Sequence, residues 1–144
     1  IQYDAKFAFA PMKGVTEVII IGHTECGAAD GLAAGLEHRY ITPWLKVGGK
    51  TANDRARQIY TGNNPAELQQ EIERQIPITN LENLETYQSF VEARQEGKLK
   101  ASAFLYDLKG ARLLEYDPEK QEYELFVQGK IENNPHMDHG CHCG

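Results

Sequence analysis

Apolar positions along the chain change from one continuous run to helical spacing and then to short β-like runs. Residues 15–22 contain four consecutive β-favouring aliphatic residues and end at Gly22. A short apolar run bounded by glycine is typical of a strand buried in a sheet, and the next loop lies at the strand's carboxyl end. Open α/β sheets bind their ligands at that edge, so the loop after Gly22 is the first candidate for a functional site.

Helical spacing of apolar residues follows this loop. Residues 63–76 open with an Asn-Pro pair and then place Leu68, Ile72 and Ile76 on one face, which predicts an amphipathic helix with one buried stripe. A second helix is predicted across residues 80–99. Residues 4–13 are expected to end a helix, and residues 27–37, which are mostly small, are expected to form a helix or a turn packed close against the sheet.

The segment ITPWLK, residues 41–46, predicts a short helix of its own. Thr42 is expected to be its N-cap, with the following proline at the first helical position. Trp44 is expected to be a packing anchor within the chain. Residues 51–60 are expected to continue as helix.

Three short runs at residues 101–108, 111–117 and 122–127 predict strands joined by hairpins. The order strand, helices, strands predicts an α/β sheet. From residue 128 the sequence is polar and has no periodicity. We therefore expect one domain at residues 1–127 and a flexible tail, rich in cysteine and histidine, at residues 128–144.

Composition narrows the classes of function. The 144 residues are 41% hydrophobic, enough for one domain with a sizeable core. A formal charge of −6 without a basic cluster argues against a nucleic-acid partner. No apolar run approaches the roughly 20 residues of a membrane span, and the first residues lack the layout of a signal peptide. Three cysteines without framework spacing favour free thiols or metal ligands in a reducing cytoplasm.

The pair His23 and Cys26 carries the most specific chemistry in the sequence. Imidazole nitrogen and thiolate sulfur are ligands that zinc prefers, and a spacing of three residues at a tight turn lets both reach one ion. A plainer interpretation is also open, in which His23 caps the turn and Cys26 packs as a small apolar residue.

The segment VTEVIIIGHTECGA resembles the strand and loop of the β-class carbonic anhydrases, in which a hydrophobic strand ends in Gly-His-x-x-Cys-Gly. Residues 81–117 are similar to a later region of that family, where helices lead to a strand containing Tyr-Asp and then to a hairpin. The resemblance implies the β-carbonic-anhydrase fold, an α/β protein with a mostly parallel β-sheet flanked by helices. It also implies that His23 and Cys26 are two of three zinc ligands and that the backbone of Gly27 lies beside the metal-bound solvent.

The chain departs from the family pattern at the third ligand. In the family this ligand is a cysteine in an upstream Cys-x-Asp-x-Arg element, whose Asp-Arg pair controls the access of water to the metal. The chain contains no such element, so we expect the catalytic Asp-Arg pair upstream of Ile1. We favour a chain that is the C-terminal portion of a longer protein, because it begins without methionine. A short homologue without catalysis is a second explanation.

The tail offers a third explanation. Its soft ligands are His136, His139, Cys141, His142 and Cys143. One of the two cysteines can donate the missing ligand, but the entropy of ordering a flexible segment opposes this, and such a cluster is often a separate metal site.

The resemblance implies reversible hydration of CO2 to bicarbonate through a zinc-bound hydroxide, in a homodimer or a larger even-numbered assembly. An alternative on the same fold is hydrolysis of a CO2 analogue such as carbonyl sulfide or carbon disulfide. An alternative from another class is a non-catalytic zinc-binding or scaffolding homologue, which keeps His23 and Cys26 without the activating Asp-Arg pair.

Overall fold

The computed structural model describes residues 2–130, with four strands and five α-helices. In chain order the elements are α1 (Gln2–Met12), β1 (Glu17–His23), α2 (Gly27–Ala33), α3 (Ile41–Ile59), α4 (Pro65–Asn83), a 3-10 turn (Leu84–Thr86), α5 (Gln88–Gln95), β2 (Lys100–Asp107), β3 (Arg112–Asp117) and β4 (Glu122–Gln128). None of the helices in these residues is long and apolar enough to cross a bilayer.

The four strands form one sheet in the order β1-β2-β3-β4. β1 and β2 are parallel, so the chain between them must cross over, and α2 to α5 make that crossover. β2, β3 and β4 pair antiparallel through two tight turns, as the hairpin pattern predicts. The predicted α/β class with flanking helices is confirmed, and the described sheet is mixed.

The core lies where α4 meets the other helices and the sheet. α4 packs against α2, α3, β1 and β2. Ile72 of α4 is fully buried and belongs to one core cluster with Ala29, Leu32 and Ala56 of the neighbouring helices. A second cluster, around Phe90 of α5, closes the other end of the sheet.

The predicted helices are present, with three corrections. α3 is one helix of 19 residues that begins at Ile41, and Thr42 lies in its first turn rather than at its N-cap. The Thr42 hydroxyl is engaged elsewhere: it accepts a hydrogen bond from the amide of His38 at 2.7 Å and donates to the carbonyl of Leu36 at 3.1 Å. Trp44 is 67% exposed and so does not anchor packing within the described chain.

The third correction concerns α4, which continues through Pro77 to Asn83 instead of ending near residue 76. The second predicted helix, at residues 80–99, is therefore not one helix: its first residues belong to α4, and the 3-10 turn and α5 follow. Proline inside a helix removes one backbone hydrogen bond. Pro77 is nevertheless fully buried, and its ring lies so close to Gly22 of β1 that a Cβ at Gly22 would stand 2.5 Å from Pro77 Cγ. Burial of the ring against the strand therefore offsets the lost hydrogen bond and keeps the helix unbroken.

Gly22→Ala should lower the free energy of unfolding by about 1–3 kcal/mol, because the new methyl group overlaps a rigid proline ring in a packed interface. Gly48→Ala is the matched control, since no atom lies within 4 Å of its Cβ position in α3. Alanine favours helix over glycine by up to about 1 kcal/mol, so this variant should be as stable as the parent or more so. Urea unfolding measures both, and a Gly22→Ala variant of parental stability would contradict the Pro77 contact.

Candidate metal centre

The His-Thr-Glu-Cys loop joins a strand directly to a helix. β1 ends at His23, and α2 begins at Gly27 with Cys26 as its N-cap residue. Both candidate ligands are therefore attached to regular elements, and only Thr24 and Glu25 form the turn between them. His23 is exposed and Cys26 is half-buried.

A hydrogen bond determines which nitrogen of His23 is available. Nδ1 of His23 lies 2.8 Å from the carbonyl oxygen of Thr24. A carbonyl oxygen can only accept, so Nδ1 carries the proton in the neutral ring, and the lone pair of Nε2 is available to a metal ion. Histidines that bind a metal through one ring nitrogen are commonly oriented by a hydrogen bond of this kind at the other ring nitrogen.

His23 and Cys26 line one cavity of about 350 Å³. Most of its wall is apolar and is built by α2, α3, α4 and the end of β1; these side chains are Ile21, Ala28, Leu32, Trp44, Leu45, Val47 and Ile76. Gly27 opens α2, and no atom lies within 4 Å of the position that a Cβ would take there. Whether the Gly27 backbone lies beside metal-bound solvent stays a prediction.

The turn between the two ligands is held by the β2–β3 hairpin. The amide of Thr24 donates to the carbonyl of Tyr106 at 2.9 Å, and the Thr24 hydroxyl accepts from the amide of Leu108 at 3.0 Å. Glu25 adopts a φ of +57°, a conformation that costs a non-glycine residue about 1–2 kcal/mol. The Glu25 carboxylate pairs with the Lys109 ammonium at 2.7 Å. These contacts hold the turn in a backbone conformation that it would rarely adopt alone.

Sequence reasoning missed one residue of the site, Glu73 of α4. Its carboxylate is buried, and Oε1 accepts hydrogen bonds from the backbone amide of Cys26 at 2.8 Å and from Nε2 of Gln69 at 2.9 Å. The only signal in the sequence is that Glu73 follows Ile72, within the width of the apolar stripe of the predicted helix. Nothing local indicates a partner 47 positions away.

The donors present fit zinc in type but not in number. A histidine with a free Nε2 and a cysteine face the same cavity, which suits a borderline-soft ion. Within residues 2–130, however, no group of three or more His, Cys, Asp or Glu side chains is placed to hold a metal ion. The proposed tail ligands His136, His139, Cys141, His142 and Cys143 lie outside the described residues. The roles of His23 and Cys26 as ligands stay predictions.

Comparisons with known proteins identify the family. The sequence profile of the carbonic anhydrase family matches residues 4–113. Carbonic anhydrase 1 of Escherichia coli O157:H7 is 23% identical over 129 residues, which are 85% of this chain and 56% of that protein. The solved β-carbonic anhydrase CcaA aligns with a TM-score of 0.72 at 23% identity, over 85% of this chain and 61% of its own.

A second solved structure, the β-carbonic anhydrase CafA of Aspergillus fumigatus, aligns with a TM-score of 0.68 at 22% identity. The alignment covers 83% of this chain and 59% of the CafA chain. At these identities the structural likeness concerns the fold. The chain thus spans less than two thirds of the length of these relatives.

Acid should weaken the hairpin that holds the turn. Hydrogen bonds from the Gly110 amide and then from the Arg112 guanidinium hold the pKa of the Asp107 carboxyl below its usual 3.8. A carboxyl with a lowered folded-state pKa stabilises the fold fully above its unfolded pKa of about 3.9, and this stabilisation is lost as the pH falls through the folded-state pKa. The asparagine of Asp107→Asn cannot ionise. The free energy of unfolding of this variant should therefore lie further below that of the parent at pH 6 than at pH 3.

Urea unfolding at the two pH values measures this difference. Asp54→Asn is the control, because Asp54 forms only an exposed i,i+4 pair with Lys50. Such a pair contributes about 0.5 kcal/mol or less. A deficit of Asp107→Asn that does not change between pH 6 and pH 3 would show that the Asp107 carboxylate does not stabilise the hairpin through its charge.

Proposed function

The chain belongs to the carbonic anhydrase family, and from this premise we propose that it carries part of a zinc centre for the reversible hydration of CO2 to bicarbonate. The observation that carries the proposal is the placement of His23 and Cys26 on one small apolar cavity at the carboxyl end of β1. Zinc is the proposed cofactor, with His23 Nε2 and Cys26 Sγ as two of its ligands.

Each part of the proposed site has a separate role in the reaction. When bound, zinc supplies the Lewis acidity that makes water a nucleophile at neutral pH. The Thr24 carbonyl keeps the Nδ1 proton of His23 in place and so presents Nε2 as the ligand atom. The apolar wall of the cavity accommodates a small molecule without net charge, such as CO2, and disfavours retention of the bicarbonate anion.

The third ligand is proposed to come from outside residues 2–130. β1 is the edge strand of the described sheet, and two of its side chains, Ile19 and Ile21, are 53% and 61% exposed. Ile21 also lines the cavity. These two side chains lie on the same face of β1, so a segment or a second subunit that covers this face at the edge of the sheet would reach the site. We propose an even-numbered assembly, at least a homodimer, in which the centre is completed this way.

The compartment and the remaining partners follow from composition. Cys26 is a free thiol, and the acidic chain has no basic cluster. These features support a reducing compartment, and we propose the cytoplasm. They support neither a nucleic-acid nor a membrane partner. The proposed small-molecule partners are those of the proposed reaction, CO2 and bicarbonate.

Replacement of either ligand should remove zinc and activity together. We expect native mass spectrometry of the isolated protein to detect one zinc per subunit in an even-numbered oligomer. His23→Ala and Cys26→Ser should each lose that zinc and lower kcat/KM for CO2 hydration, measured by stopped flow, by more than about 100-fold. His38→Ala is the matched control, because His38 is exposed and does not line the cavity.

Zinc and full activity retained in His23→Ala would contradict the proposed ligand set. Zinc bound without CO2 hydration would contradict the proposed reaction. In that case turnover of carbonyl sulfide or carbon disulfide would identify a hydrolase of a CO2 analogue, which the same apolar cavity can accommodate. No turnover of any of these substrates would identify a non-catalytic zinc-binding homologue.

A further inference from the structure

Glu73 is a buried carboxylate that is not explained by an ion pair. Its exposed fraction is 3%, and no salt bridge among the described residues includes it. Burial of a charged group is costly unless its hydrogen-bonding capacity is used. The donors that use it are the Gln69 side chain, one helical turn earlier, and the backbone amide of Cys26.

A contact that holds the backbone amide of Cys26 also limits the positions that its thiol can take. Cys26 precedes the first residue of α2, and its own side chain makes no capping hydrogen bond. Once the backbone nitrogen is fixed, the Cα and Cβ atoms follow, and rotation about χ1 is the main freedom left to Sγ. A hydrogen bond to a charged acceptor is roughly twice as strong as a neutral one, so the carboxylate is an effective anchor.

α4 holds both sides of the loop. Pro77 packs against Gly22, the residue before His23, and Glu73 of the same helix binds the amide of Cys26. Glu73 also lines a second cavity of about 480 Å³, on whose wall lie Lys109 and Arg112. The carboxylate thus lies in the wall between an apolar cavity and a polar one.

We propose that Glu73 is a positioning residue, which holds Cys26 through its backbone amide so that the thiol faces His23 across the cavity. This inference rests on the zinc centre proposed above. It goes beyond that proposal because it assigns to α4, and not only to the loop, the spacing between the two ligands.

The test compares Glu73→Gln, Glu73→Leu and the control Glu71→Leu. Glu71 lies on the same helix and accepts from Gln75, and it makes no hydrogen bond to Cys26. The first readout is hydrogen exchange of the Cys26 amide by NMR in the full-length protein after zinc removal, with the Leu105 amide of buried β2 reporting global opening. Exchange at Cys26 should be at least about tenfold faster in Glu73→Leu than in the parent.

Glu73→Gln is isosteric and keeps an acceptor oxygen, so its exchange rate should lie between those of the parent and Glu73→Leu. Glu71→Leu should match the parent. Unchanged exchange at Cys26 in both Glu73 variants would overturn the inference, and this result does not depend on zinc or activity. If Glu73→Leu does not fold, the Cys26 exchange rates of Glu73→Gln and Glu71→Leu still test the inference, because only the first should be faster than in the parent.

The second readout is zinc affinity, measured by competition with a chromogenic chelator. Loss of the anchor should weaken zinc binding by about 10- to 100-fold in Glu73→Leu and by much less in Glu73→Gln. Faster amide exchange with unchanged zinc affinity would overturn the positioning role and leave Glu73 as a structural contact. If the parent itself binds no zinc, the proposed function fails, and the exchange result alone decides whether Glu73 holds Cys26.

Discussion

Helix α4 packs against β1, β2, α2 and α3, and two of its side chains contact the residue before the His-Thr-Glu-Cys loop and the last residue of that loop. Pro77 fills the space left by Gly22, and Glu73 accepts a hydrogen bond from the amide of Cys26. Because the parallel pairing of β1 with β2 requires a long crossover, the helices of that crossover must cover the sheet. α4 covers the sheet and also contacts the chain near the end of β1 and immediately before α2.

The site is open on one side. β1 has no neighbour on its outer edge among the described strands, and Ile21 of that strand lines the cavity. Two donors face the cavity, whereas a catalytic zinc site uses three protein ligands. The relatives that share this fold are considerably longer than the part that the chain matches. A segment or subunit that covered this strand, as proposed above, would therefore also lie beside the cavity, since Ile21 belongs to both surfaces.

Several elements could be predicted because the information is local. The strand before Gly22, the amphipathic helix predicted at residues 63–76 and the three C-terminal strands follow from apolar spacing and turn residues. Two predictions were wrong because the side chain makes a contact that the local sequence pattern does not show. A proline at position 77 suggests a helix end, but its burial against β1 keeps α4 continuous. Thr42 has the chemistry of a cap, but its hydroxyl binds the preceding turn instead.

The same division holds for the site. The sequence by itself determined which donors are present and that His23 and Cys26 flank a tight turn after a strand, because three-residue spacing and β-favouring side chains act over short range. Only the tertiary structure decided which nitrogen of His23 is bonded to the backbone and which stays available, which apolar walls enclose the cavity and which carboxylate holds Cys26. Contacts between Cys26 and a residue 47 positions away have no local signature, since they arise from how the crossover helices pack on the sheet.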